Sequence, residues 1–297
     1  MRFGIYCPNF GAFGDARTVA EFAQEAEQCG WDGLFLWDHV ARSFETPVVD
    51  PWVALSAAAM MTARIKLGAL VTPMPRRRPW KLARETVSLD HLSDGRLVLG
   101  VGIGSAGGSD VEWSSFDEEL DLKTRAAMLD EGLEVLTGLW SGEAFQHQGE
   151  HYQVTEAHFL PPPLQRPRIP IWVAGYWPNK KPFKRAARWD GVFPLFRAGG
   201  DPGSDLDALR DCVKFVRDAR GNDDFDVIHL AAPTPGNEPE RAREIVVPYA
   251  EAGATWWLER FTPDEFGGGW KGKWPFEKML ERVAQGPPPV QGVPSLR

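Results

Sequence analysis

Apolar and polar positions along the chain fall into two alternating textures. Short unbroken apolar runs are followed by longer segments in which apolar residues return every three or four positions. Residues 65–105 show this most clearly. Residues 65–71 form an apolar run that leads into a Thr-Pro-Met-Pro turn and three arginines, Arg76, Arg77 and Arg78. Pro79 suits a first helical position, and Trp80, Ala83, Val87 and Leu92 fall near one face of a 3.6-residue period, which predicts an amphipathic helix against a sheet. Asp94-Gly95 turns the chain into a second apolar run, residues 97–101, which enters a glycine-rich loop ending at Gly104-Ser105. Strand, helix and strand with tight links predict a βαβ unit with parallel strands and a right-handed crossover.

The same alternation continues on both sides. Residues 2–8 and 33–37 read as strands. Residues 15–30 read as a helix with Val19, Phe22, Ala23 and Ala26 on one face, ending on a glycine, and residues 52–63 as an alanine-rich helix. Residues 125–140 predict a further helix with Met128, Leu129, Leu133, Leu136 and Leu139 near one face. Residues 144–154 alternate around Gln148-Gly149 as a hairpin does, and residues 160–170 are rich in proline, so residues 141–170 read as an insertion. Strands at 171–174, 191–195, 225–230 and 255–258 then alternate with helices at 179–187, 206–219, 238–251 and 276–283. About eight strand-helix units predict an α/β fold, a (β/α)8 TIM barrel with an insertion after the fourth unit. The barrel domain is expected over residues 1–285, with a proline-rich tail at 286–297.

Composition narrows the partners. The 297 residues are 43% apolar and 25% charged, ordinary for a globular chain able to bury a full core. A formal charge of -8 disfavours a nucleic-acid surface, and the arginine triplet is too local to supply one. No apolar run is long enough for a bilayer, and the first residues enter a strand without a signal segment, so a cytoplasmic protein is expected. Cys7, Cys29 and Cys212 are odd in number and scattered, which predicts reduced thiols.

Barrel chemistry sits at the C-terminal strand ends. Those are residues 7–9, 37–39, 69–72, 102–105, 175–177, 195–197, the positions after Leu230, and 259–260. Asp38-His39 places a proton-transfer side chain beside a carboxylate at the second strand end. Gly102 to Gly107 matches GxGxxG, but residues 108–119 read as loop and no acidic strand end follows, so a dinucleotide fold is not implied. The small residues there suit close approach of a flat ligand or phosphate. His147-Gln-Gly-Glu150-His151 has metalloprotease spacing, but the hairpin pattern around Gly149 keeps the histidines off one helical face, and no metal is expected. Gly175-Tyr176-Trp177 precedes a segment with Lys180, Lys181, Lys184, Arg185 and Arg188, a candidate phosphate site. Trp172, Trp177, Trp256 and Trp257 near strand ends are candidates for an aromatic pocket.

Residues 67–105, together with GWDGLFLWDHV (30–40), LDEGLEVLTGLWSGE (129–143), PRIPIWVAG (167–175), RAARWDG (185–191) and GATWWLE (253–259), resemble the bacterial luciferase-like flavin monooxygenase family. The resemblance implies a homodimeric (β/α)8 enzyme that binds reduced FMN or, in one branch, the deazaflavin coenzyme F420. It implies a small organic substrate and a possible separate flavin reductase. It places a general acid/base at His39 with Asp38 beside it, and cofactor contacts at Trp37, Ala69, Leu70, Thr72, Gly104, Ser105, Gly175, Tyr176 and Trp177. The family's non-proline cis peptide at the end of strand three matches Ala69-Leu70. Sugar-phosphate dehydrogenases of the deazaflavin branch carry a glutamate where this chain has Ser105 and a tryptophan where it has Ser43; the luciferase phosphate arginine aligns with Ile103. Those departures argue against both activities. The expected function is oxygenation with reduced FMN and O2. The alternatives are F420-dependent hydride transfer, a non-catalytic flavin-binding protein and, third, a metal-dependent hydrolase.

Overall fold

The computed structural model describes residues 1–104, 111–196, 204–221 and 224–288. Its strands are β1 (Arg2–Cys7), β2 (Gly33–Leu36), β3 (Lys66–Ala69), β4 (Thr72–Pro73), β5 (Leu99–Gly102), β6 (Ala144–Gln148), β7 (Gln153–His158), β8 (Ile171–Tyr176), β9 (Gly191–Leu195), β10 (Asp226–Ala231) and β11 (Trp256–Arg260). Nine of these pair in parallel in the order β3-β2-β1-β11-β10-β9-β8-β5-β4. β3 and β4 are halves of one strand, separated by Leu70 and Val71. Leu67 bridges Leu97 and Thr72 pairs with Val101, so both halves lie along the same neighbour and the sheet closes. The result is the expected (β/α)8 TIM barrel, with its third strand in two pieces. The non-proline cis bond is Leu70-Val71, one residue beyond the expected pair. Leu70 N still donates to Leu36 O at 2.7 Å, so the ladder with β2 runs through Leu70 before the strand breaks.

The helices are α1 (Ala16–Gln28), α2 (Pro51–Met61), α3 (Pro79–Leu92), α4 (Val111–Ser114), α5 (Leu122–Trp140), α6 (Lys180–Ala186), α7 (Ser204–Arg220), α8 (Pro239–Glu251) and α9 (Phe276–Ala284). Local chemistry sets their starts. Asp15 accepts from Arg17 N and Thr18 N, both at 3.0 Å, and Asp50 caps α2 immediately before Pro51. Asp121 accepts from Thr124 N at 2.7 Å, which begins α5 three residues before the apolar stripe shows it. On α3 the stripe is rotated from the expected one. Ala83 and Val87 are buried with Leu82, Thr86, Leu89 and Asp90, while Trp80 and Leu92 are exposed. Asp90 turns inward because Leu164 N, Gln165 N and Gln165 Nε2 donate to it, which pins the proline-rich segment to the barrel. The β6–β7 hairpin docks on α5, where Glu131 accepts from His151 N and Tyr152 N.

Two apolar layers follow from strand alternation. Inside the barrel, Tyr6, Phe35, Leu70, Val98, Trp172, Phe193, Ile228, Trp256 and Leu258 form one cluster, and Phe35, Trp172 and Trp256 meet at centroid distances of 5.2 to 5.6 Å. Gly33 and Gly191 leave the room these rings fill; a Cβ at either would overlap an aromatic side chain. Trp257 faces the opposite way, into the layer beneath the helices. Of the four strand-end tryptophans, Trp172 and Trp256 are core, Trp177 packs on Phe183 and Phe215, and the buried Trp257 backs a small cleft with His229 and Tyr249. Among the described residues no helix is long and apolar enough to cross a membrane.

Candidate active site

β2 delivers Trp37, Asp38 and His39 to the C-terminal mouth of the barrel, where Trp37 N donates to Cys7 O at 2.9 Å. The Asp38 side chain is fully buried and is held by arginines of the turn after β4. Arg77 donates to it through Nη2 at 2.6 Å and Nε at 3.0 Å, and Arg76 Nη2 donates to its carbonyl at 2.7 Å. A buried carboxylate needs such partners. The first two arginines of the triplet thus act inside the site, holding the loop that carries His39. Asn9, also fully buried, clamps that loop from β1: its Nδ2 donates to His39 O and Val49 O, both at 2.7 Å, and its Oδ1 accepts from His39 N at 3.1 Å.

The His39 ring is oriented by Glu112. Nδ1 lies 2.7 Å from Glu112 Oε2, while Oε1 accepts from Val40 N in a short bond and from Ala41 N at 3.2 Å. Arg76 Nη1 adds an ion pair to Glu112 at 3.2 Å, so one guanidinium ties Asp38 and Glu112 together. Burial alone would raise the Glu112 pKa. The bond and charge of His39, then Arg76 and the Ala41 N–H, more than offset it and bring it down to about 2. An ionised Glu112 can only accept, so Nδ1 carries the hydrogen and Nε2 is the ring nitrogen left for proton exchange. Glu112 sits in α4, inside the stretch expected to be loop, and nothing in the local pattern marks it. Its bonds make it a fixed anion and not a proton donor.

His39 opens onto a cavity of about 1250 Å³. One wall is Trp37, Asp38, His39, Leu70, Val71 and Pro73; Gly102, Ile103, Gly104 and Trp113 close a second side; Ala174, Gly175 and Tyr176 form a third. Gly104 has a φ of +80°, and a Cβ there would overlap Trp113. Beyond Tyr176 the rim is cationic, with Lys123, Lys180, Lys181, Lys184, Arg185 and Arg188; Asp130 pairs with Arg185 and Arg188 at 2.7 Å each. Of the residues expected at the cofactor, Trp37, Leu70, Gly104, Gly175 and Tyr176 line this space. Ala69, Thr72 and Trp177 are not among the residues lining it, whereas Val71, Pro73 and Asn179 are. Ser105 lies outside the described residues, as do Gly107 and the tail from residue 289. His147 faces Glu131, and no cluster able to hold a metal occurs among the described residues. A separate cleft of about 320 Å³ lies by β10, lined by His229, Tyr249 and Trp257 among others.

A flat, hydrogen-bonding, phosphorylated group suits the large cavity. Its wall is apolar at Leu70, Val71 and Ala174, its far rim is basic, and Trp37 Nε1 is buried without a partner.

The family described as luciferase-like monooxygenase matches residues 1–284. The chain is 31% identical over 165 residues to the oxygenase component of a flavin-dependent trigonelline monooxygenase from Acinetobacter baylyi, covering 56% of this chain and 44% of that protein. It is 30% identical over 169 residues to an F420-dependent glucose-6-phosphate dehydrogenase from Amycolatopsis mediterranei, covering 54% and 48%. The chain thus spans about half the length of these curated relatives. Among solved structures, monooxygenase RslO1 from Streptomyces bottropensis superposes with a TM-score of 0.73 at 21% identity, covering 95% of this chain and 96% of that one. That likeness is one of fold.

Proposed function

The chain belongs to the luciferase-like monooxygenase family, and from that premise we propose that it is a flavin-dependent oxidoreductase that oxygenates a small organic substrate with reduced FMN and O2. The observation that carries the reading is His39, fixed by the buried Glu112 at 2.7 Å, at the wall of a largely apolar cavity of about 1250 Å³. Reduced FMN would supply the two electrons with which one atom of O2 enters the substrate and the other leaves as water; F420 would instead supply hydride. Trp37, Leu70 and Val71 bind and orient the flat ring. The backbone of Gly175 and Tyr176, reinforced by the cations of α6, holds the phosphate. His39 takes up or returns a proton at Nε2, and the surrounding apolar wall excludes water.

The basic rim favours a second reading, F420-dependent hydride transfer, because six cations against one carboxylate suit a ligand more anionic than a single phosphate. The relatives named above support both cofactors. A separate flavin reductase is part of the first reading, supported by the relative named as an oxygenase component. Exposed Val53, Met60 and Met61 on α2, with Trp80 and Leu92 on α3, support a homodimer, and three unpaired cysteines support a cytoplasmic location.

Parallel titration of the purified protein with oxidised FMN, reduced FMN and F420, read by tryptophan fluorescence under anaerobic conditions, tests the proposal. Tight binding of reduced FMN with weak F420 binding is expected. Preference for F420 would make hydride transfer the activity, and binding of none of them would sink both readings.

A further inference from the structure

Three guanidiniums surround Asp38, His39 and Glu112, and two of them are matched. Arg77 is spent on Asp38, and Arg76 is shared between Asp38 and Glu112. The third is Arg42. Its Nη1 lies 3.3 Å from His39 Nδ1 and 3.4 Å from Nε2, but Nδ1 is already committed to Glu112, so this edge gains at most one long hydrogen bond. Arg42 Nε is buried without a partner, and among the described residues no carboxylate lies within ion-pair distance of the guanidinium. Among the described residues the guanidinium ion pairs of Asp38 and Glu112 are made with Arg76 and Arg77, and none reaches Arg42, whose charge stands unmatched beside the reacting histidine.

That surplus cation is held in place. The Arg42 guanidinium lies 4.6 Å from the Phe10 ring centroid and 5.5 Å from that of Phe44, a stacked arrangement that fixes its plane before any ligand arrives. Phe10 in turn meets Trp37 at 5.8 Å and the half-buried Trp270 at 6.0 Å, and Trp37 meets Trp270 at 5.9 Å. A partly buried, preorganised and unpaired guanidinium is costly to keep unless a ligand completes it, and its fork matches a carboxylate. We propose that Arg42, seated on the buried Phe10, recognises the carboxylate of a small aromatic acid and so makes the substrate an organic anion whose ring packs against the half-buried Phe44, Trp37 and Trp270 beside His39. This inference rests on the functional reading only in taking His39 as the reacting end of the cavity.

The test uses benzoate and its neutral isostere benzamide. Each is titrated into the full-length protein without added cofactor, with tryptophan fluorescence as the readout, for the wild type, Arg42→Met and Arg42→Lys. Wild type is expected to bind benzoate saturably and roughly tenfold or more tighter than benzamide. Arg42→Met should abolish that preference while the far-ultraviolet dichroism and the affinities for reduced FMN and F420 stay unchanged. Arg42→Lys should retain part of the preference. Equal binding of the two probes, binding of neither, or a preference that survives Arg42→Met would overturn the assignment. Failure of both cofactors to bind, with the benzoate preference intact, would count against the functional reading and leave Arg42 as an anion site.

Discussion

Glu112→Gln removes one charge from the centre of the site and keeps its shape. In the folded protein the carboxylate titrates at about 2 against an ordinary 4.5, so its ionised form is favoured by roughly 3 kcal/mol relative to the unfolded chain. Glutamine retains an oxygen for Val40 N and Ala41 N but turns an N–H2 toward either His39 or Arg76, both of which also donate. The expected loss is therefore about 2–3 kcal/mol at pH 7, or roughly 3–5 °C in melting temperature for a chain of this length. The folded-state pKa lies below the unfolded one, so the contribution is complete above about pH 4.5 and fades as the pH falls through 2. Melting curves by circular dichroism at pH 7 and pH 3 should show wild type and variant converging at the lower pH. A variant within 1 °C of wild type at pH 7 would refute the argument, because the His39–Glu112–Arg76 arrangement would then carry no net stabilisation.

Three other substitutions probe independent parts of the account. His229 is buried against Tyr249 at a ring distance of 4.1 Å, and burial pushes its pKa from 6.5 down to about 3. Its contribution is complete above pH 6.5 and is lost as the pH falls toward 3, roughly 2 kcal/mol between pH 8 and pH 5; in urea titrations His229→Phe should flatten that slope, and an unchanged slope would locate the effect elsewhere. Asp38→Ala strips Arg77 of its carboxylate in a buried setting and should cost about 3–5 kcal/mol by denaturant midpoint, against under 1 for a surface pair. Gly104→Ala combines a φ of +80° with a Cβ that would overlap Trp113, so it should destabilise by about 2 kcal/mol or more and alter the near-ultraviolet dichroism of Trp113; a silent spectrum would contradict the packing.

The barrel was legible because its signals are periodic. Val19, Phe22, Ala23 and Ala26 are buried where their spacing put them, and residues 191–195 form β9 without adjustment. Departures arose where a polar group decided the outcome. Asp90 is drawn inward by three donors from the proline-rich segment, which turns the α3 stripe away from Trp80 and Leu92. Asp38-His39 was visible as a strand end, but their partners were not: Arg77 is 39 residues from Asp38, and Glu112 is 73 from His39. No local pattern distinguishes Glu112 from the neighbouring acidic residues. Strand-end tryptophans misled because Trp172 and Trp256 look identical in sequence whether they face a ligand or plug a barrel floor, and the glycines that admit them lie on other strands.

The central claim is that the cavity beside His39 holds the cofactor and that Glu112 fixes His39 there. A crystal structure of the full-length protein prepared anaerobically with reduced FMN tests it most directly. The account predicts ring density against Leu70 and Val71 within reach of His39, phosphate density near Gly175 and Tyr176, and an intact His39–Glu112 bond. Density in the cleft by His229, or a ring in the large cavity with His39 released from Glu112, would contradict it.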